Sequence, residues 1–407
     1  GKDAMAANTT AAENTAVGTD AMTATTTGSS NAAFGTDALK SNSTGASNTA
    51  LGSYSLDANT TADNNTAVGV HALGANTTGF DNVALGNNTL KTNTTGDTNT
   101  AIGKNALFSN TTADDNTAVG FNSLSDNSTG VNCSALGSGA LENNTTANNN
   151  TAVGLNALYS NTTAPDNTAV GKDALLLSTT GSGGNTAVGH VCLDAMTTAT
   201  KNTGVGQHAL GGSTTGNNNT AIGRAAGFEN TTGSSNLFLG VDAGRTGSPG
   251  GSQTTGNGGI FLGDENISDA YIQVDWTLAS DERDKTDFTA LDLGLNFVNA
   301  LEPFTYKWDK RSKYGDKNAD DYDLAAQTPD GTHKEDWLDI GFKAQAVLAL
   351  EEAAGYKIAD KNNLTVSQTK DKKSYGLQYT KFIPILVKAL QEADDKIDDL
   401  TTRIEAL

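Results

Sequence analysis

A glycine recurs every 17 residues along the first part of the chain, without a slip from Gly1 to Gly171. The register takes one extra residue before Gly189 and six extra residues before Gly263. Each unit reads Asn-Thr-Ala-Val-Gly-x-x-Ala-Leu-x-x-Asn-Thr-Thr-Gly-x-x. A unit this short cannot bury a core by itself, so we predict that neighbouring units stack as a solenoid over residues 1–263.

The two halves of the unit have different local preferences. The Asn-Thr-Thr-Gly half predicts a tight bend, and the Asn-Thr-Ala-Val half predicts a short strand. The Gly-x-x-Ala-Leu part fits either a second strand or a single helical turn. Stacking at one strand spacing, about 4.8 Å, gives a shaft about 65 to 70 Å long with thin layers of Ala, Val and Leu inside. So thin a coil suggests that several copies pack side by side.

The Asn-Thr-Ala-Val-Gly-x-x-Ala motif, as at residues 65–72, resembles the head repeats of trimeric autotransporter adhesins and repeats of phage tail fibres. The resemblance implies a trimeric solenoid of the left-handed β-roll type. The fold class expected is therefore mainly β, with a homotrimeric repeat shaft.

Several residue types inside the repeats could carry function, but each has a simpler explanation. Asn-x-Ser/Thr triplets are interpreted as turn residues rather than glycan acceptors, as at Asn59, Asn76, Asn93 and Asn110. Aromatic residues near the turns are interpreted as plugs rather than receptor contacts, namely Tyr54, Phe80, Phe108, Phe121 and Tyr159.

The histidines and cysteines of the repeats do not predict a metal site or a disulfide. His71, His190 and His208 follow their glycines without other ligands at metal-binding spacing, so no metal is expected. Cys133 and Cys192 would lie roughly 14 Å apart in the stack, beyond the reach of a disulfide. We expect both to be small buried side chains.

Charge excludes some partners. The chain carries a formal net charge of −20, which repels nucleic acid and anionic lipid. No stretch approaches the ~20 apolar residues of a membrane span, so no membrane insertion is expected. No cofactor is expected either. Because Gly1 falls inside a repeat, we expect an attachment region to precede it.

Composition changes after Gly263. The first 263 residues carry 25 charged side chains, whereas the remaining 144 carry 47 and all three Trp. Residues 264–279 are expected to form a linker with a strand at Ala270–Leu278, and residues 280–407 a small α+β domain. The predicted elements are a helix at Leu291–Leu301, a strand at Phe304–Trp308, a charged loop at Lys310–Glu335 and a strand followed by a helix at Asp339–Gly355.

The end of the chain carries a heptad pattern over about residues 386–407. Apolar residues alternate in steps of four and three, which predicts a coiled coil between chains; they are Leu386, Leu390, Ala393, Ile397, Leu400, Ile404 and Leu407. Ile and Leu at alternate core positions favour two strands, whereas the resemblance of the shaft implies three. Three is expected because so short a coil follows the rest of the assembly.

A cluster of reactive residue types lies between the repeats and the final domain. Ser280, Asp281, Arg283 and Lys285 spell Ser-Asp-x-Arg-x-Lys. With "DIGFKAQAV", "YGLQYTKFIPILVKALQE" and the terminal coil, this motif resembles the C-terminal intramolecular chaperone of endosialidase tailspikes and other phage tail fibres, over about residues 275–407. The resemblance implies trimerisation followed by self-cleavage between Ala279 and Ser280 with a serine–lysine dyad.

The residue types suit that chemistry. A serine hydroxyl becomes a nucleophile when a base takes its proton, and Lys285 can do so only when its amine is neutral. Burial and a neighbouring cation such as Arg283 favour the neutral amine, with Asp281 orienting Arg283 or the amine. Attack by Ser280 on the Ala279 carbonyl is intramolecular and therefore favoured once the loop is bent.

The leading hypothesis is a phage tail fibre in the virion, with a host-surface glycan or protein as receptor. Its C-terminal chaperone would act as a single-turnover, self-cleaving serine endopeptidase. The alternative is a bacterial trimeric adhesin at the cell surface, without catalytic activity. A polysaccharide depolymerase is disfavoured because no unit breaks the repeat with paired carboxylates.

Overall fold

The computed structural model describes residues 1–407 apart from 182, 268–269, 272, 274–278, 317–320 and 370. The chain divides into two compact units. The first comprises residues 1–245 and 253–263, and the second comprises residues 246–252 and 264–407. This division does not separate a linker at 264–279 from a domain at 280–407, so those boundaries remain predictions of the sequence.

The first unit is a β-solenoid with one short strand in each coil. In the part of it that the structure describes, 15 parallel strands form one sheet in chain order, each pairing with the next. The register pairs equivalent residues of successive repeats, for example Ala67 with Ala84. The strands β1–β15 are Thr15–Val17, Ala32–Phe34, Thr49–Leu51, Thr66–Val68, Val83–Leu85, Thr100–Ile102, Thr117–Val119, Ser134–Leu136, Thr151–Val153, Thr168–Val170, Thr186–Val188, Thr203–Val205, Thr220–Ile222, Leu237–Leu239 and Ile260–Leu262.

The Gly-x-x-Ala-Leu part of each repeat is neither a second strand nor a helical turn. It forms consecutive turns in which the third and fifth residues have left-handed backbone, as at His71 (φ 57°) and Leu73 (φ 50°). The preceding Gly69 has φ 135°, and a Cβ there would lie 2.3 Å from the carbonyl oxygen of Gly86. This close approach of successive coils explains why the glycine recurs.

Small and medium side chains fill most of the interior of the coil, and Phe238 and Phe261 occupy the inward strand position in the last two strands. The middle residue of each strand points inward, and so do the Ala and Leu that follow the glycine, as for Ala67, Ala72 and Leu73. The prediction that Val also lies inside is wrong. Because side chains alternate across a strand, the residues flanking the buried Ala point outward, and Val17 is 54% exposed.

Two columns of asparagine run through the interior beside the apolar core. In the first column, the Nδ2 atom of each residue donates to the Oδ1 atom of its equivalent one coil earlier, as from Asn110 to Asn93 at 2.8 Å. In the second, Oδ1 accepts from the backbone N–H one coil later, as Asn48 does from Asn65 at 2.9 Å. Residues of both columns are buried.

The asparagine columns settle the meaning of the Asn-x-Ser/Thr triplets. Asn59, Asn76, Asn93 and Asn110 are fully buried, so no glycan can be attached to them in the folded chain. Each also donates to the carbonyl three residues ahead, for example from Asn76 to Gly79 at 2.8 Å. The interpretation as turn residues is confirmed, and the bonds between coils extend it.

Both cysteines are buried and unpaired, as predicted. Cys133 occupies a position of the second asparagine column, where its N–H donates to Asn116 Oδ1 at 2.9 Å. Its Sγ atom lies 3.3 Å from the carbonyl oxygen of Ala147. Burial raises the pKa of the Cys133 thiol to about 11 and that of the Cys192 thiol to about 12.

The second unit is a small α+β fold. Among its described residues, β16 (Phe304–Tyr306) pairs antiparallel with β17 (Asp339–Gly341), and β18 (Val366–Gln368) pairs with β19 (Tyr375–Leu377). The helices are α1 (Leu295–Ala300), α2 (Ala344–Ala353) and α3 (Phe382–Glu405). Their core contains Leu293, Phe297, Val347, Val366, Phe382 and Ile385.

The predicted elements of this unit are largely observed. The helix expected at Leu291–Leu301 begins later, at Leu295, after Gly294, and the strand expected at Phe304–Trp308 ends at Tyr306. The strand and helix expected within Asp339–Gly355 are confirmed as β17 and α2. Most of the strand expected at Ala270–Leu278 lies outside the described residues. None of the described helices has the length and apolar character of a membrane span.

Candidate active site

The Ser-Asp-x-Arg-x-Lys segment forms one tight turn in the second unit. A 3-10 helix spans Glu282–Asp284, and Asp281 caps its start because its Oδ1 atom accepts the Arg283 N–H at 2.9 Å. The Lys285 N–H closes the turn by donating to the Glu282 carbonyl at 3.1 Å. Residues 280 and 285 therefore lie at the two ends of a single capped 3-10 turn, within reach of the Lys285 side chain.

The turn brings together the two residues predicted to form the dyad. The Nζ atom of Lys285 lies 2.6 Å from Ser280 Oγ and 3.2 Å from the Ser280 carbonyl oxygen. The first distance is within hydrogen-bond reach, which is the geometric requirement for proton transfer between a nucleophile and its base.

Asp281 and Arg283 pair with each other. The Arg283 Nη2 atom lies 2.6 Å from Asp281 Oδ2, and its Nε atom lies 3.1 Å from Oδ1. Side-chain and backbone hydrogen bonds from Arg283 lower the pKa of the Asp281 carboxyl, and the same carboxylate raises the pKa of Arg283. Of the two roles expected for Asp281, this geometry corresponds to orienting Arg283.

The site is open to solvent in one chain. All residues from Ala279 to Ala290 are exposed. The burial expected to favour a neutral Lys285 amine is therefore not supplied by the fold of a single chain. A second surface would have to cover the turn to provide it.

Metal chemistry has no candidate in the part of the chain that the structure describes. There, no group of three or more His, Cys, Asp or Glu side chains is placed to hold a metal ion. His71 instead stacks on Tyr54 with ring centroids 5.0 Å apart, and His190 meets His208 edge to face at 6.1 Å.

The final helix leaves its heptad face exposed. Three buried residues near its start, Phe382, Ile385 and Ala389, join α3 to its own unit. Of the predicted seam, Ala393 is half-buried, and the exposed members are Leu386, Leu390, Ile397, Leu400, Ile404 and Leu407. Ile383, three residues before Leu386, is also exposed and extends the seam by one position. Sequence reasoning missed it, although the same spacing continued one step back would have found it.

The aromatic residues of the shaft do not all act as plugs. Tyr54, Phe80 and Phe121 are exposed, so that interpretation is wrong for these three. Phe108 and Tyr159 are half-buried. The exposed rings follow from their turn positions, where the side chain points away from the narrow interior.

A repetitive β-solenoid followed by a small α+β unit, with a Ser–Lys pair in a tight turn and an exposed heptad face, defines a β-solenoid repeat protein with a C-terminal α+β unit. Residues 280–356 match the family model described as "Chaperone of endosialidase". Over these residues the chain is therefore similar to the chaperones of endosialidases. The match is shorter than the expected 275–407 and begins at Ser280. No curated protein and no solved structure matched the chain.

Proposed function

We propose that this chain is the shaft and C-terminal chaperone of a homotrimeric phage tail fibre. The chaperone assembles three chains and then cuts the bond between Ala279 and Ser280. One observation carries the proposal: the chaperone match begins at Ser280, whose hydroxyl lies 2.6 Å from the Lys285 amine. In the virion, the shaft contacts a host-surface glycan or protein.

Cleavage proceeds by transfer of the acyl group from nitrogen to oxygen. The neutral Lys285 amine takes the Ser280 hydroxyl proton, and Oγ attacks the Ala279 carbonyl carbon. The C–N bond breaks as the ester forms, and the proton passes to the Ser280 nitrogen. Water then hydrolyses the ester, which leaves the shaft with a carboxylate at Ala279 and the chaperone with Ser280 as its first residue.

Assembly supplies what the single chain lacks. Both dyad residues are exposed in one chain, so a neighbouring chain that covers the turn would exclude water and favour the neutral amine. The exposed heptad face of α3 gives a route to such neighbours. Cleavage then depends on correct assembly.

The repeat shaft explains why a chaperone is needed. Successive units are nearly identical, so chains displaced by one unit make nearly the same contacts. A C-terminal clamp that aligns the three chains removes this ambiguity. After the chaperone leaves, the aligned shaft is retained by its barrier to unfolding.

The alternative is a trimeric adhesin at a bacterial surface, for which the repeat solenoid is equally suitable. The two functions differ at the junction, since an adhesin retains the bond between Ala279 and Ser280.

Intact mass of the full chain after expression tests the proposal. The native chain should yield two fragments that meet at the Ala279–Ser280 bond, whereas Ser280→Ala and Lys285→Ala should remain whole. Thr286→Ala, which removes a neighbouring exposed hydroxyl, is the matched control and should be cut. An uncut native chain, or a cut dyad variant, contradicts the proposed cleavage.

A further inference from the structure

The outward face of the 15-stranded sheet carries one continuous apolar column along its whole length. The third residue of every strand is aliphatic or aromatic and lies outside the buried core; these residues are Val17, Phe34, Leu51, Val68, Leu85, Ile102, Val119, Leu136, Val153, Val170, Val188, Val205, Ile222, Leu239 and Leu262. We call this column the outer stripe. Its exposure reaches 54% at Val17 and 52% at Leu136.

Charge is absent from this face, although the chain as a whole carries −20. The first residues of the strands, which share the face, are Thr, Ser, Ala, Val, Leu or Ile. Charged residues begin just outside this face, at the position immediately after the recurring glycine. Examples are Lys104, Lys172 and Arg224. An uncharged outward face with one apolar residue is therefore repeated in every coil.

The strand face that carries the stripe is large enough for a stable interface. Fifteen strands at a spacing of about 4.8 Å span about 67 Å, and three residues per strand give a width of about 10 Å. The resulting face, which includes the mostly Thr first-residue row beside the stripe, covers roughly 670 Å². It approaches the ~800 Å² that each partner buries in a standard interface.

The geometry points to the outer stripe as the surface through which copies of this chain pack together in the shaft. We propose that each stripe faces the same stripe of its neighbours, parallel and in register. A column with one apolar side chain per coil is matched by another column of the same pitch, which a second copy provides. The exposed heptad face of α3 is an independent observation that supports association with further copies of the same chain.

This inference rests on the proposed function for the number of chains in the assembly. What it adds is the surface through which the shafts of those chains pack together. It also accounts for the need for alignment from the C-terminus. Since fourteen of the fifteen stripe residues are Val, Leu or Ile, a displacement by one coil keeps the apolar contacts almost unchanged. The stripe supplies affinity between the copies, and the chaperone supplies the register.

Cysteine cross-linking tests the assignment in the full chain. Leu136→Cys places a thiol on the stripe, and Leu155→Cys places one on an equally aliphatic, 44% exposed residue outside it. The two native thiols are buried, so they contribute little background. Same-residue pairs that meet across a parallel, in-register interface can form a disulfide under mild oxidation.

We expect a covalent dimer band from Leu136→Cys on a non-reducing gel and none from Leu155→Cys. Light scattering on the same samples gives the number of chains. A monomeric mass overturns both the proposed function and the stripe. A mass of three chains with no Leu136→Cys dimer, or with a dimer from Leu155→Cys alone, overturns the stripe and leaves trimerisation intact.

Discussion

The Nζ atom of Lys285 lies 2.6 Å from Ser280 Oγ, and the contact is formed entirely within one six-residue turn. Asp281 shapes that turn because its carboxylate caps the 3-10 helix and pairs with Arg283. The proposed dyad is therefore prearranged in a single chain, where both of its side chains are exposed to solvent. Positioning of the Ser280 hydroxyl beside Lys285 and activation of the Lys285 amine are thus separate requirements.

Asp281 is expected to act as a positioning residue. Asp281→Ala removes the cap and should slow cleavage by roughly 5-fold without changing the number of chains. Asp281→Asn keeps an oxygen that can accept the Arg283 N–H and should retain more of the rate. Fragment yield against time, with light scattering as the control, measures both effects. Equal cleavage rates for the native chain and both variants would contradict a positioning role for Asp281.

The same carboxyl predicts a dependence on acid. Its folded pKa is lowered by Arg283, so its contribution to the turn is complete above its ordinary value of 3.8 and is lost as the pH falls through the lowered value. Asp281→Asn has no such group. The turn of that variant should therefore respond less to pH below 3.8, as measured by hydrogen exchange of the Arg283 amide.

The heptad face of α3 is expected to drive assembly. Ile397→Asp places a carboxylate at a core position of the coil, where burial of the native side chain contributes about 2 kcal/mol per chain. We expect a fall toward monomer mass and, because cleavage depends on assembly, loss of the two fragments. Thr402→Asp on the opposite side of the helix is the control and should assemble normally. Unchanged mass and cleavage in Ile397→Asp would show that α3 is not the clamp.

The first asparagine column should contribute strongly to shaft stability. Asn110→Ala leaves Asn93 Oδ1 without its donor inside the solenoid, and Asn127 Nδ2 keeps its bond to the Gly130 carbonyl but loses the one to Asn110. An unsatisfied buried group costs about 1–3 kcal/mol and a lost hydrogen bond about 1 kcal/mol, so a loss of about 2–4 kcal/mol is expected from denaturant unfolding. Asn87→Ala at an exposed position should change stability by less than about 0.5 kcal/mol. Similar losses of stability for both variants would contradict the expected contribution of the asparagine column.

The buried thiols predict a weakness at alkaline pH. Folding raises the thiol pKa of Cys133 from 9.0 to about 11, so the neutral thiol's contribution is complete below pH 9 and declines between about pH 9 and 11. Cys133→Ala should flatten this part of the stability curve relative to the native chain, as followed by unfolding at fixed denaturant. An identical slope in the two proteins would contradict the assignment.

Much of the architecture could be predicted from local pattern. The 17-residue period defines the strands and bends, the steps of four and three define the final helix, and the motif at Ser280 identifies the chaperone. These features lie within short windows of the chain. A residue's neighbours in sequence are then also its neighbours in structure, as with Ser280 and Lys285 across one turn.

The amino-acid sequence alone determined that the repeats stack, where they end and that Ser280 and Lys285 are the pair to examine at the junction. Only the tertiary structure decided which face of each strand is inside, that Leu73 and its equivalents take left-handed backbone, and that asparagines bond from coil to coil. The physical reason is that these properties arise when the coil closes and residues 17 positions apart come into contact. No short window of sequence contains both partners of such a contact.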